Sequence, residues 1–296
     1  MRKWMLAAAM AVFGSTAQAA TVPWSELLVF GDSLSDAGNF GGTATNGQTW
    51  AGQLGALPAL GGGTNFAFGG ARAVTNADGV PDFTAQRLLY EADRPALGST
   101  PLTVAWFGGN DLLAITPSTT AQEAGAIIAG ALAEIGTGVA DLAQDPALRR
   151  FILPNLPDLS RIPLFANAGE PIRVGIAQVT AAFNGGLSQL AAGFTAQGLD
   201  VKVFDTAGIF ASILDDPAAF GFDPAKVDET CLQGAISCDG YIFWDPIHPT
   251  AATHALIADG ITALAQPAPV PLPATGWLLL GALGGAAALR RQRRAA

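Results

Sequence analysis

Histidine, cysteine and tyrosine are the scarcest residues of this 296-residue chain, with two of each, and only 13% of its residues are charged. So few ligating side chains leave little from which to build a metal centre. The lone Asp-x-x-His pair, Asp245 and His248, supplies too few ligands for a zinc site. Basic residues are also few. Two of the 15 Lys and Arg lie in the first 19 residues and four in the last seven, which leaves nine against 24 Asp and Glu and a net charge near −15 for the middle. That balance excludes a nucleic-acid or anionic-membrane surface as the partner of the middle segment. No internal repeat is apparent.

The two ends of the chain read as targeting segments. Arg2 and Lys3 begin it, Trp4 to Phe13 form an apolar core, and Ala17-Gln18-Ala19 has the small-residue pattern of a signal-peptide cleavage site. Residues 1–19 are therefore expected to be a signal peptide. At the other end residues 266–274 (QPAPVPLPA) are proline-rich and predict an extended linker. An uncharged stretch from Thr275 to Leu289 follows, short of the roughly 20 residues of a comfortable membrane span, and then Arg290, Arg291, Arg293 and Arg294. Secretion would bring Cys231 and Cys238, the only two cysteines, to an oxidising compartment. They are expected to pair there; two free buried thiols are the alternative.

Residues 20–265 are expected to be one α/β domain. An unbroken apolar run at Leu27–Phe30 predicts a strand buried on both faces of a parallel sheet, and the mostly apolar segments Leu102–Phe107, 151–157 and Val201–Phe204 predict further strands. Thr64–Ala73 reads as a further short strand ending in a glycine turn. Helical patterns occupy Gln48–Leu57, Phe83–Tyr90, Ala121–Leu142, Ile176–Ala196 and Ala251–Ala265. Strands that alternate with helices predict a three-layer α/β/α sandwich with about five parallel strands.

Candidate chemistry collects where runs end. Phe30 gives way to Gly31-Asp32-Ser33, a glycine turn with a serine beyond a strand end, where α/β sheets place their ligands. The Ser33 N–H would lie near a helix start, where an anion is favoured; a plain helix cap is the simpler reading of such a serine. Of the two histidines, His248 lies in YIFWDPIHPT, held between prolines. His254 falls on the 251–265 helix and is expected to be an ordinary surface residue.

The block FGDSLSDAGNF resembles the opening block of the GDSL, or SGNH, hydrolases, which are lipases, esterases and acyltransferases with a serine nucleophile. NFAFGGARA, the Gly108-Gly109-Asn110-Asp111 stretch and YIFWDPIHPT resemble the later blocks, in the family's order. The resemblance implies a flavodoxin-like sandwich, Ser33 as nucleophile, His248 as general base and Asp245 as its partner. It implies an oxyanion hole from the N–H groups of Ser33 and Gly70 and the side-chain amide of Asn110, with Gly69 as the other choice for the glycine. It requires no cofactor. The expected substrate is an acyl ester of a lipid or a short acid. Deacetylation of an extracellular polysaccharide, transfer to another acceptor, and a non-catalytic matrix-binding protein remain alternatives. Val270–Ala274, the apolar stretch and the arginines resemble the VPLPA variety of the PEP-CTERM sorting tail. That likeness implies processing by an exosortase in the envelope of an outer-membrane bacterium, with passing membrane contact; a plain membrane anchor is the alternative.

Overall fold

The computed structural model describes residues 22–233, 236–266 and Arg290. The expected signal peptide (1–19), most of the linker and sorting motif (266–274) and most of the tail (275–296) lie outside the described residues. The chain divides into two units, residues 1–265 and 266–296, and the sheet lies wholly within the first.

Four parallel strands form the sheet in the order β1 (Leu27–Gly31), β2 (Leu102–Trp106), β3 (Arg150–Pro154), β4 (Asp200–Phe204). Every residue of β1 and β2 is buried, as continuous apolar runs require when helices cover both faces. Each fully buried Leu, Val or Phe side chain there contributes about 1.5–3 kcal/mol.

The segment expected as a further strand, Thr64–Ala73, is not a regular one. Its first residues still run beside β1. Val29 N–H donates to Thr64 O (3.0 Å), Phe66 N–H to Val29 O (2.7 Å) and Phe68 N–H to Gly31 O (3.1 Å). It touches β1 on the edge away from β2, so the spatial order is segment 64–68, β1, β2, β3, β4. Chain progression thus reverses between β1 and β2, and the carboxyl ends of those two strands flank the crevice such a reversal leaves.

The helices are α1 (Trp50–Gln53), α2 (Phe83–Asp93), α3 (Gly109–Leu112), α4 (Ala121–Leu142), α5 (Glu170–Ala196), α6 (Thr206–Asp215) and α7 (Ala251–Ala265). Helix α4 packs on α2 and α5, and α7 packs on α1, α6 and β4. Helices thus flank the parallel sheet, as expected. Helix α4 is started by a capping box, Thr120 and Glu123 bonding reciprocally. It is long and apolar enough to cross a membrane. Here Ala131, Ile135, Val139 and Leu142 are buried in the hydrophobic core. Helix α6 had no counterpart in the sequence reading; Asp205 caps it, accepting the Gly208 N–H.

Candidate active site

Register explains why distant blocks meet. Gly31 at the end of β1 pairs with Trp106 at the end of β2. The two chains therefore leave the sheet side by side, one carrying Ser33 and the other Asn110. Gly31 is required: a Cβ there would lie 2.9 Å from Trp106 O and 3.0 Å from Ser35 Cβ. Buried Gln86 of α2 clamps the same residue, accepting its N–H (2.9 Å) and donating to its carbonyl (2.8 Å). No helix starts at Ser33, contrary to the sequence reading. The chain makes one turn, with Ser35 N–H and Asp36 N–H donating to Asp32 O, and Leu34 N–H donating to Asp32 Oδ1.

The half-buried Ser33 Oγ lies 2.8 Å from His248 Nε2, and His248 Nδ1 lies 2.7 Å from Asp245 Oδ2. With Nδ1–H donating to the carboxylate, Nε2 is left to accept the serine proton. The other oxygen of Asp245 accepts the N–H groups of Ile247 (2.8 Å) and His248 (2.7 Å). Burial alone would raise the Asp245 pKa. The bonds from the His248 ring and from these N–H groups outweigh it and hold the carboxyl below its ordinary range.

The 241–250 loop is held from several sides. Thr250 N–H donates to Ile242 O, and Thr45 Oγ1 to Pro249 O. Cys231 and Cys238 form a disulfide, and the segment it closes is bonded to the loop, Cys231 N–H donating to Phe243 O (3.2 Å) and Leu232 N–H to Trp244 O (2.9 Å).

The glycine turn lies against Ser33: a Cβ on Gly69 would sit 3.9 Å from Ser33 Cβ. Gly69 N–H is taken by Asp36 Oδ2 at 3.0 Å. The N–H groups of Ser33 and Gly70 have no acceptor among the described residues. Gly70 has φ +86°, a region that favours glycine. Asn110, on α3, donates one amide hydrogen to Ala71 O (2.9 Å), and a longer contact of 3.4 Å reaches Asp32 Oδ2.

Three buried carboxylates that sequence reasoning passed over hold this region. Asp36 also accepts from Gly38, Asn39 and Phe40 N–H. Asp111 accepts from Ala73 and Val74, and Asp82 from Arg72 and Asn76. Burial raises the pKa of Asp111 against those bonds. Asp32, wholly buried beside Ser33, is pushed up to about 7 by burial, with the Leu34 N–H and His248 opposing.

His254 corrects the sequence reading. It is completely buried on α7, and neither ring nitrogen has a partner among the described residues. Burial, with a smaller repulsion from His248, pulls its pKa down to about 3. His254 shares one helical face with Ile257, Ala258, Ile261 and Ala265, all buried, so the helical spacing itself carries it inward.

A cavity opens beside Ser33. Asp32, Gly109 and Asn110 line it together with the apolar Leu113, Leu156, Leu159, Ile162, Phe210 and Phe243. A hydroxyl beside an acceptor imidazole, two free N–H groups close by and an apolar recess together suit attack on an acyl carbonyl.

The chain is 25% identical to the phosphatidylcholine-sterol acyltransferase of Aeromonas hydrophila, over 88% of this chain and 96% of that one. It is 25% identical to the thermolabile hemolysin of Vibrio parahaemolyticus, over 79% of this chain and 62% of that one, and 27% identical to the esterase EstA of Pseudomonas aeruginosa, over 87% and 49%. The chain thus spans about half to two thirds of the latter two. Among solved structures it is similar to a catalytic mutant of an acetylxylan esterase from Geobacillus stearothermophilus, at 19% identity and TM-score 0.49, covering 81% of this chain and 94% of that one. The family model for GDSL-like lipases and acylhydrolases matches residues 27–261. The chain belongs to the GDSL-like lipase/acylhydrolase family.

Proposed function

We propose that this member of an ester-hydrolase family is a secreted serine esterase, with Ser33, His248 and Asp245 as its triad. The observation that carries the reading is the unbroken relay of 2.8 Å from Ser33 Oγ to His248 Nε2 and 2.7 Å from His248 Nδ1 to Asp245 Oδ2. Ser33 Oγ attacks the acyl carbonyl while Nε2 takes its proton, and Asp245 stabilises the imidazolium. The developing oxyanion is met by the Ser33 and Gly70 N–H groups and by the Asn110 amide, which gives up its longer 3.4 Å contact with Asp32 Oδ2 to do so; one such donor typically contributes about 100- to 1,000-fold in rate. The tetrahedral intermediate collapses, and the alcohol leaves with the proton from Nε2. Water, deprotonated by His248, then releases the acid and frees Ser33. The chemistry calls on the chain's own residues and no cofactor.

Secretion and envelope sorting, with an exosortase acting on the tail, rest on the two terminal segments; the Cys231–Cys238 disulfide fits an oxidising compartment. Removal of acetyl groups from an extracellular polysaccharide is a second reading, favoured by the narrowness of the cavity at Ser33. Transfer to another acceptor would use the same acyl-enzyme. Hydrolysis of p-nitrophenyl acetate by the wild type and by Ser33→Ala tests the proposal. Loss of several orders of magnitude in kcat supports it. Equal rates would refute it.

A further inference from the structure

The recess beside Ser33 is apolar and small. It gives about 40 Å³ to the centres of water-sized molecules. By that measure one water needs about 10–15 Å³, so the recess holds about three such units. A second cavity lies immediately beyond it, larger at about 340 Å³ by the same measure. It runs between the 157–162 segment and α6 and is lined by Asp158, Arg161, Ala207, Gly208 and Ala211 among others.

Three residues line both spaces: Pro157, Ile162 and Phe210. They are the partition between them. Ile162 is 3% exposed and Phe210 4%, so both side chains are fixed by packing rather than free to swing aside. Phe210 is backed by Phe243, with ring centroids 6.1 Å apart. The chain leads into this wall from both sides. Pro157 follows the end of β3, and Phe210 lies on the first turns of α6 after β4.

Resting on the esterase reading above, we propose that the wall of Pro157, Ile162 and Phe210 sets the acyl length the site accepts. An acyl group on Ser33 extends into the apolar recess and ends against Ile162 and Phe210. The substrates are therefore esters of short acids of about two to four carbons. A longer chain must either push these packed side chains aside or stay out of the recess. A misfitted methylene in such a pocket changes kcat/KM by about 10- to 200-fold. Lowering the wall joins the recess to the second cavity, whose lining of small residues, Ala207, Gly208 and Ala211, leaves room for further methylenes.

The test is a series of p-nitrophenyl esters from acetate to palmitate on the full secreted protein, read as kcat/KM against chain length. Alongside it, the wild type is labelled with ethyl fluorophosphonate. The wild type should peak at about two to four carbons and fall at least about tenfold by octanoate. Ile162→Ala and the milder Ile162→Val and Phe210→Leu should raise the octanoate-to-acetate ratio by about tenfold or more, whatever their absolute rates. Should a variant fail to fold, the wild-type profile decides by itself. Undiminished kcat/KM on octanoate and longer esters by the wild type would overturn the proposal, as would folded, active variants with an unchanged ratio. No ester hydrolysis and no label at Ser33 would instead overturn the esterase reading, and the wall's role with it.

Discussion

Asp36 Oδ2 accepts the N–H of Gly69 at 3.0 Å, and the very next N–H, that of Gly70, is left without an acceptor among the described residues. The carboxylate also binds the N–H groups of Gly38, Asn39 and Phe40, so it ties the turn after Ser33 to the glycine turn beside it. In the proposed esterase its place is to orient the Gly70 donor without touching substrate.

Asp36→Ala should therefore lower kcat by about 10- to 100-fold, part of what loss of one oxyanion donor costs, with little change in KM. Steady-state kinetics on a variant whose melting has been checked would measure this. A rise in KM at constant kcat would mean that the contact shapes substrate binding instead.

Two buried groups should pull the pH dependence of stability in opposite directions. Asp32 rises from 3.8 to about 7 on folding, so the stability it allows at low pH is lost as pH rises from 3.8 through 7. His254 falls from 6.5 to about 3 because it is buried neutral, so stability is lost as pH falls from 6.5 toward 3. Each slope is about 1.4 kcal/mol per pH unit, and over the shared window they cancel. Relative to wild type, His254→Leu should then lose stability with rising pH between about 4 and 6.5, and Asp32→Asn should gain it. Denaturant unfolding across that range measures both; parallel curves for all three proteins would contradict the assignment. Neither ring nitrogen of His254 has a partner among the described residues, so an apolar replacement of similar size gives up no hydrogen bond.

The Cys231–Cys238 bridge closes a small loop, worth about 2.5 kcal/mol at best in the chain-entropy model. Its position matters more. Through the bonds from Cys231 and Leu232 to Phe243 and Trp244 it supports the segment that delivers Asp245 and His248. Replacing both cysteines with serine should reduce kcat beyond what the drop in melting temperature accounts for. Unchanged kcat in a folded variant would show that the loop's other bonds suffice.

Much of the scaffold could be read in the chain. The limits of α4 and α7 match their sequence patterns, and the four strands fall on the four expected segments. Burial on both faces leaves its mark in the composition of β1 and β2, whereas Lys202 marks β4 as only partly covered. The 64–68 segment kept strand-like bonds to β1 but no regular ladder, since the Gly69-Gly70 turn follows within a residue of Phe68. Ser33, Asn110, Asp245 and His248 were legible because each follows a recognisable block. Asp36, Gln86 and Asp111 were not, because each bonds to backbone far away or with no period. The burial of His254 was legible too: it lies in step with Ile257, Ala258, Ile261 and Ala265 on the buried face of α7, and only its residue type spoke for solvent.

The most direct measurement is the intact mass and peptide map of the protein after a fluorophosphonate, for wild type and His248→Ala. The account predicts one adduct, on Ser33, formed several orders of magnitude more slowly in the variant. An adduct on another residue, or labelling of Ser33 at the same rate without His248, would contradict it.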